Sequence, residues 1–173
     1  SHEMRLESGV LMYGFEEVMQ KLKEDGIDVQ LVEHEPAPTM EIADRVIEGI
    51  PGVRTKTLLM RNKKKTRFFM LIMDGSKRMD MSHFKDLVGD RQLKMASADD
   101  LQEKLGLQPG VVSPFGLLNN TDHDVEVFVD QEIANEERMS FHPNSNERTV
   151  FIKSPDLYAF LKDLGYSIHF ENL

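Results

Sequence analysis

The sequence predicts a single α+β domain built around a mixed or largely antiparallel sheet. Short runs of apolar and β-favouring residues alternate irregularly with segments that show the helical spacing of apolar residues. The strict strand–helix–strand repetition that is typical of a parallel sheet is missing. The 173 residues contain no linker or internal repeat, so we expect one domain over residues 4–173. Residues 1–3 precede the first methionine and resemble the remnant of an expression tag.

Five segments have the apolar spacing of helices, and their ends carry residues typical of helix termini. A side-chain oxygen before each of the last four segments is a predicted N-cap, because it accepts hydrogen bonds from the first N–H groups of the helix. These N-caps are Thr39, Ser82, Ser97 and Ser154. Glycine follows most of the segments, as expected where a helix ends. The predicted helices cover residues 15–22, 40–48, 83–88, 98–105 and 155–164.

Seven short segments are predicted to be strands because they are rich in β-branched and other apolar residues. The second and third are separated by the basic loop 62–66, so we expect them to form a hairpin. The predicted strands cover residues 29–32, 55–60, 67–73, 93–95, 125–129, 149–152 and 167–170.

The chain is acidic overall but carries one concentrated basic segment. Its formal net charge is −9, which by itself argues against a nucleic-acid partner. Residues 54–78 nevertheless hold nine basic side chains and one acidic side chain, so this segment is +8 and the remainder is −17. Such a segment can attract a polyanion to one face of an acidic protein. The same pattern is also typical of a solvated, lysine-rich hairpin.

Several kinds of site are excluded by what the sequence lacks. It has no cysteine, which excludes disulfides, thiolate nucleophiles and cysteine-ligated zinc. It has no P-loop, GxGxxG or HExxH motif, and Ser113 lacks the GxSxG frame of a nucleophile elbow. Asp122-His123-Asp124 could touch a metal, but a polar loop before a strand explains it better. Neither an apolar span nor a signal core occurs, which predicts a cytoplasmic protein without a membrane partner.

Three features remain as candidates for a functional site. Residues 110–120 hold two glycines, one proline and little charge, so they form either a buried turn or a loop whose N–H groups line a small pocket. Lys56 lies inside a predicted strand, where it either serves a site or points outward at an edge. His142 lies in a turn between two strand candidates, where it can contact a substrate or organise the turn.

These features occur in a characteristic order along the chain. His34 precedes Thr39 and its predicted helix, and Lys56 is followed by threonine and leucine in a strand. Residues 110–114 read G-x-x-x-P, and a His-Pro-Asn-Ser-Asn turn begins at His142. A closing helix follows.

In this order the chain resembles the YbaK/prolyl-tRNA-editing family over about residues 29–164. The family resemblance implies an α+β fold with a sheet or barrel-like core flanked by helices. Residues 113–119 are most similar to the ProX/PrdX-like branch, whose members are free-standing and alanine-specific, so we expect a trans-acting protein. The implied reaction is hydrolysis of the ester that links a wrong amino acid, above all alanine, to tRNA(Pro).

The resemblance also implies roles for individual residues. Main-chain N–H groups around Gly110 are expected to stabilise the negative charge on the ester carbonyl oxygen. Lys56 is expected to anchor the terminal phosphate or ribose, and His142 to hydrogen-bond the substrate. No metal or organic cofactor is implied. The expected substrate-binding residues are Thr39, Val111, Val112, Ser113, Pro114, Phe115, Gly116 and Asn119.

The implied partner is mischarged tRNA(Pro), with a transient contact to prolyl-tRNA synthetase. Apolar residues of the loop are expected to shape a pocket that admits alanine, so Phe115→Ala should relax discrimination. Hydrolysis of Cys-tRNA(Pro) or of another small aminoacyl-tRNA, and a non-catalytic tRNA-binding module, remain the alternatives. The expected tRNA-binding residues are Arg61, Lys63, Lys64, Lys65, Arg67 and Arg91.

Overall fold

An eight-stranded mixed sheet forms the centre of the protein. The computed structural model describes residues 4–5, 11–35, 45, 47–143 and 147–173. Along the sheet the strand order is β10-β7-β5-β4-β8-β9-β3, and β6 pairs with β4. Four pairings are antiparallel and three are parallel. The strands are β3 Val29–Glu33, β4 Val53–Asn62, β5 Phe68–Asp74, β6 Leu93–Met95, β7 Val125–Asp130, β8 Arg138–Phe141, β9 Arg148–Lys153 and β10 Ile168–Glu171.

The predicted basic hairpin is confirmed as the pair β4 and β5. Its loop is organised by the side chain of Asn62, whose Oδ1 accepts hydrogen bonds from the N–H groups of Thr66 and Arg67 at 2.8 and 3.2 Å. Lys65 completes the turn with a φ of 57°. A short antiparallel pair, β1 Met4–Arg5 and β2 Leu11–Met12, was not predicted.

The helices begin and end close to where the capping residues predict. They are α1 Phe15–Glu24, α2 Met81–Val88, α3 Ala98–Leu105 and α4 Ser154–Asp163. The capping box of α3 is present as predicted, with Ser97 and Asp100 exchanging hydrogen bonds. The N-cap of α2 is Asp80 instead of Ser82, because the carboxylate accepts from the N–H of His83. The helix predicted after Thr39 lies largely outside the described residues.

Apolar residues pack on both faces of the sheet. The larger core joins β4, β5, β7, β8 and β9 to α1, α3 and α4, and it includes Val18, Leu105 and Phe160. The smaller core lies on the opposite face, where the rings of Phe84 and Phe128 meet edge to face at 5.2 Å. The predicted α+β class with a mixed sheet flanked by helices is therefore confirmed. None of the helices in the described ranges is long and apolar enough to cross a membrane.

Candidate active site

Two histidines meet at the end of the sheet where β8 ends and β9 begins. The ring centroids of His34 and His142 are 6.4 Å apart in an edge-to-face arrangement. Nε2 of His34 lies 2.9 Å from Oγ1 of Thr149, and its Nδ1 lies 2.8 Å from the carbonyl oxygen of Glu35. The antiparallel pairing of β3 with β9 causes this meeting, because it places the residues after β3 beside the start of β9. His34 is thus fixed by hydrogen bonds at both ring nitrogens.

The hydrogen-bond partners assign a tautomer to each histidine. A carbonyl oxygen can only accept, so Nδ1 of neutral His34 carries the hydrogen and its Nε2 accepts from the hydroxyl of Thr149. Nδ1 of His142 lies 3.3 Å from the carbonyl oxygen of Arg148, which assigns the same tautomer to this ring. In neutral His142, Nε2 is therefore the basic nitrogen of the ring.

Lys56 lies on β4, shortly after the part of this strand that pairs with β8. The parallel register pairs Val53 with Met139 and Arg54 with Ser140, and Lys56 and His142 each follow the second of these pairs by two residues. Lys56 belongs to the sheet face that carries the smaller core, because side chains alternate along a strand and Leu58 packs against that core. The two residues are about half of the chain apart in the sequence, and the pairing of β4 with β8 brings their segments together.

The side chain of Lys56 is half-buried and is held by the neighbouring loop. Its Nζ donates a hydrogen bond to the main-chain carbonyl of Lys77. That loop is anchored in turn, since Nζ of Lys77 lies 2.7 Å from a carboxylate oxygen of the fully buried Asp130 and 3.2 Å from Glu132. Burial lowers the pKa of Lys77, but its hydrogen bonds to both carboxylates outweigh burial and raise this pKa. Lys77 therefore stays charged at neutral pH and keeps the loop in place.

The loop that begins at Gly110 is built from a turn and a short helix. Gly110 has a φ of 90°, and the N–H of Val111 donates to the carbonyl of Gln108 at 3.3 Å. A 3-10 helix, Pro114–Asn119, follows. Gly116 packs so tightly that an added Cβ would lie 2.7 Å from a methyl carbon of Leu107. The loop is therefore rigid from residue 114 onward, while Gly110 itself is exposed.

Main-chain donors of this loop remain open to a ligand. Within the described ranges, the N–H groups of Gly110 and Val112 donate to no protein acceptor. The side chains of Val111 and Val112 are half-buried, and Ser113 and Pro114 are buried. An N–H group without a protein acceptor can hydrogen-bond a developing oxyanion.

Phe115 and Asn119, which were also predicted to bind substrate, have their side chains in the interior. Phe115 is fully buried, and its ring packs against Phe141 and Phe160 at centroid distances of 6.0 and 5.8 Å. Phe115→Ala therefore opens a cavity in the core. Asn119 is buried and bonds the main chain of Tyr13 through both side-chain ends, and it also donates to the carbonyl of Leu105. Both side chains therefore support the loop from the interior of the protein. Their contact with the substrate stays a prediction. Thr39 lies outside the described residues.

The predicted tRNA-binding cations divide into paired and unpaired groups. Arg61 and Lys65 both bind Asp100, at 2.9 and 3.0 Å, and Arg67 binds Glu126 through two hydrogen bonds of 3.0 and 3.1 Å. Arg91 pairs with Asp86. Lys63 and Lys64 are exposed, and the structure gives neither an acidic partner within the described residues.

Asp100 is the centre of the ion-pair cluster. Burial of its carboxylate raises its pKa, but hydrogen bonds from the N–H and hydroxyl of Ser97 and from Lys65 and Arg61 lower it well below 3.8. Asp100 also forms the capping box of α3. Arg61 and Lys65 therefore help to join the hairpin to α3, and their positive charge is partly neutralised.

Several residues near these sites were not predicted from the sequence. Lys77 lies in the basic segment, but only its ion pair with Asp130 distinguishes it from its neighbours. Lys94 is exposed on β6 directly beside Arg61, so it adds a cation to the hairpin end of the sheet. Arg148 and Thr149 flank the two histidines, and only the alternation of β9 could have indicated this. The loop 122–124 serves the fold, since both of its aspartates bind Lys104.

Comparisons with known proteins show the family of this chain. Residues 34–160 match the family described as the aminoacyl-tRNA editing domain. The prolyl-tRNA editing protein ProX of Acetoanaerobium sticklandii is 34% identical over 86% of this chain and 90% of its own length. The prolyl-tRNA synthetase associated domain-containing protein 1 of Danio rerio is 27% identical over 87% of this chain and 83% of its own length.

A solved structure has the same fold. The crystal structure of the hypothetical protein APE2540 superposes with a TM-score of 0.73 and covers 90% of this chain and 97% of that one. The sequence identity is 17%, so this likeness concerns the fold alone.

Proposed function

Because the chain belongs to the aminoacyl-tRNA editing domain family, we propose that it hydrolyses mischarged tRNA(Pro), with Ala-tRNA(Pro) as its substrate. The observation that carries the proposal is the match of residues 34–160 to this family, a segment that includes both Lys56 and His142. The ProX-like relative adds the prolyl-tRNA class of substrate.

The chemistry is the hydrolysis of an ester. A water molecule attacks the carbonyl carbon of the alanyl ester, and negative charge develops on the carbonyl oxygen. The N–H groups of Gly110 and Val112 lack protein acceptors within the described ranges, so they are suited to stabilise that charge. Collapse of the intermediate breaks the bond to the ribose oxygen, which takes a proton and leaves as the free hydroxyl of tRNA. The other product is alanine.

Side chains at the end of the sheet orient the substrate. Lys56 offers a cation to the terminal phosphate or ribose, for which its hydrogen bond to the carbonyl of Lys77 must be exchanged. His142 offers Nε2 as a hydrogen-bond acceptor in the tautomer assigned above. Neither role requires a metal.

Selectivity for alanine over proline follows from size. A synthetase pocket built for proline rejects a smaller amino acid by only about 1–3 kcal/mol per missing methylene, so a second site that excludes proline completes the discrimination. Val111 and Val112 are half-buried beside the open N–H groups, where their side chains can limit the space for the aminoacyl group. Enlarging this space should admit larger amino acids.

The basic hairpin extends the site toward the acceptor stem. Lys63 directly follows the end of β4 and is seven residues from Lys56, a distance of about 23 Å along an extended chain. Lys64 is exposed in the same loop, and Lys94 is exposed on β6 opposite Arg61. We propose that these cations contact phosphates of the tRNA some distance from its 3′ end.

The test is a comparison of three substrates with the same protein. We expect rapid release of alanine from Ala-tRNA(Pro), slower release of cysteine from Cys-tRNA(Pro) and no release of proline from Pro-tRNA(Pro). Preference for the cysteinyl ester would retain the family activity and reject alanine as the substrate. No hydrolysis of any ester above the spontaneous rate would reject the enzymatic function in favour of a tRNA-binding module.

A further inference from the structure

Arg148 is a half-buried arginine whose guanidinium group has no protein acceptor in the described part of the chain. It is the first residue of β9, and its carbonyl contacts His142. The guanidinium carbon lies 4.1 Å from the centroid of the Phe15 ring, and Nε is buried without a hydrogen-bond partner. A buried donor of a charged group is costly to leave unsatisfied. The guanidinium group of Arg148 therefore has N–H donors that can bind a ligand.

The other half-buried arginines of the described ranges all have hydrogen-bond acceptors. Arg61 and Arg67 bind carboxylates, and Arg54 donates to the carbonyl oxygens of Ile47, Gly52 and Ile50. The comparison is sharpest with Arg138, which also lies over a phenylalanine ring but bonds Oε1 of Gln30 at 2.6 Å. Acidic residues outnumber basic ones by nine in this chain, so an arginine without an acidic partner is not explained by a shortage of carboxylates.

The surroundings of Arg148 favour an anion. Phe15, which lies under the guanidinium group, is the first residue of α1, and the N-terminus of a helix attracts negative charge. Glu17 lies in the same first turn, but its carboxylate is bonded to the N–H of Gly14 at 3.1 Å and makes no ion pair with Arg148. A planar guanidinium group can bind two oxygens of a phosphate at once.

The position fits the 3′ end of a tRNA. Arg148 and His142 lie at the same end of the sheet, and this end also carries Lys56. Strand alternation places Arg148 on the face of the larger core, and its carbonyl oxygen lies 3.3 Å from Nδ1 of His142, so a ligand at the ends of the strands can reach both. We infer that Arg148 binds a phosphodiester group of the single-stranded 3′ end of the tRNA. The inference rests on the proposed function and adds to it a phosphate-binding residue.

Two substrates can distinguish a contact between Arg148 and a phosphate from other roles of this residue. Alanyl-adenosine carries the ester without any phosphodiester, whereas Ala-tRNA(Pro) carries both. We expect Arg148→Met, which keeps an apolar side chain over Phe15, to lower kcat/KM for Ala-tRNA(Pro) roughly 10- to 100-fold, mainly through KM. Hydrolysis of alanyl-adenosine should be unchanged. Arg138→Met is the matched control and should leave both substrates unaffected.

The salt dependence of tRNA(Pro) binding gives a second, independent measurement. The slope of log Kd against log salt should fall by about 0.7 in Arg148→Met, the value for one phosphate of a single strand, and Arg148→Lys should restore it. An unchanged slope, or an equal loss on both substrates, would overturn the inference. Failure of the wild-type protein to hydrolyse Ala-tRNA(Pro) would reject the proposed function instead, while the slope would still decide whether Arg148 contacts a phosphate.

Discussion

The side-chain amine of Lys56 is bonded to the main-chain carbonyl of Lys77, whose own amine binds the buried carboxylate of Asp130. Three residues from β4, the loop after β5 and the end of β7 are thereby joined. Lys77 thus positions the lysine that we place in the active site.

The anchor at Lys77 should therefore affect activity as well as stability. Lys77→Met leaves Asp130 buried without its cation, so we expect the free energy of unfolding to fall by about 2–4 kcal/mol. We expect kcat/KM for deacylation to fall about tenfold, because Lys56 loses its fixed position. Urea unfolding and deacylation assays measure the two effects. Arg78→Met, a change of an exposed neighbour, is the control, and a stability loss without a loss of activity would restrict Lys77 to a structural role.

Gly110 can be tested against a glycine with similar geometry far from the site. Gly110 and Gly26 have φ values of 90° and 72°, and a Cβ added to either meets no atom within 4 Å. Alanine at either position should cost about 1 kcal/mol in stability through backbone strain alone. Only Gly110→Ala should slow deacylation, because only there does the strain move the N–H groups that face the oxyanion. Equal activity of the two variants would remove Gly110 from the catalytic group.

Substitutions of the hairpin cations should fall into two classes, those that weaken tRNA binding and those that lower the stability of the fold. Lys63→Ala and Lys64→Ala should each lower the salt slope of tRNA binding by about 0.9, if each side chain contacts one phosphate of the acceptor stem. Arg67→Gln should mainly lower stability, by about 1 kcal/mol, because it breaks the pairing with Glu126. Filter binding over a salt series, beside thermal unfolding, distinguishes the two. A flat salt response of the wild-type protein would contradict the role of the hairpin.

Asp100 should make stability depend on acid pH. Its pKa is lowered in the folded state, so its contribution to the free energy of unfolding is complete at neutral pH and is lost as the pH falls below about 4. Asp100→Asn should cost about 2 kcal/mol at pH 7, and this difference from wild type should shrink below pH 4. Asp99→Asn, in the same turn but exposed, should show neither effect. A pH-independent difference would show that capping, and not charge, holds Asp100 in place.

Local sequence signals predicted most elements of the fold. The capping box at Ser97 and the hairpin around Asn62 depend on residues close in sequence, and both were predicted correctly. The strand Arg138–Phe141 was missed because it has only four residues and is defined by pairing with strands far away in sequence. Its absence from the prediction also concealed the pairing of β4 with β8.

Interactions between distant residues limited the prediction of the site. Arg61 is 39 residues from Asp100, and Asn119 is 106 residues from Tyr13, so neither partner could be inferred from spacing. The basic segment was therefore predicted as one tRNA-binding surface, although the fold pairs part of it with carboxylates. The candidate residues Lys56 and His142 could be named from the sequence, but the pairing of β4 with β8, which brings their segments together, could not.

Hydrolysis of Ala-tRNA(Pro) by Lys56→Met tests the central claim most directly. The matched control is Lys153→Met, which removes an exposed lysine at the end of β9. We predict that the wild type and Lys153→Met release alanine at equal rates, and that Lys56→Met is slower by a factor of about 100 or more with unchanged thermal stability. Full activity of Lys56→Met would contradict the assignment of the active site to this end of the sheet.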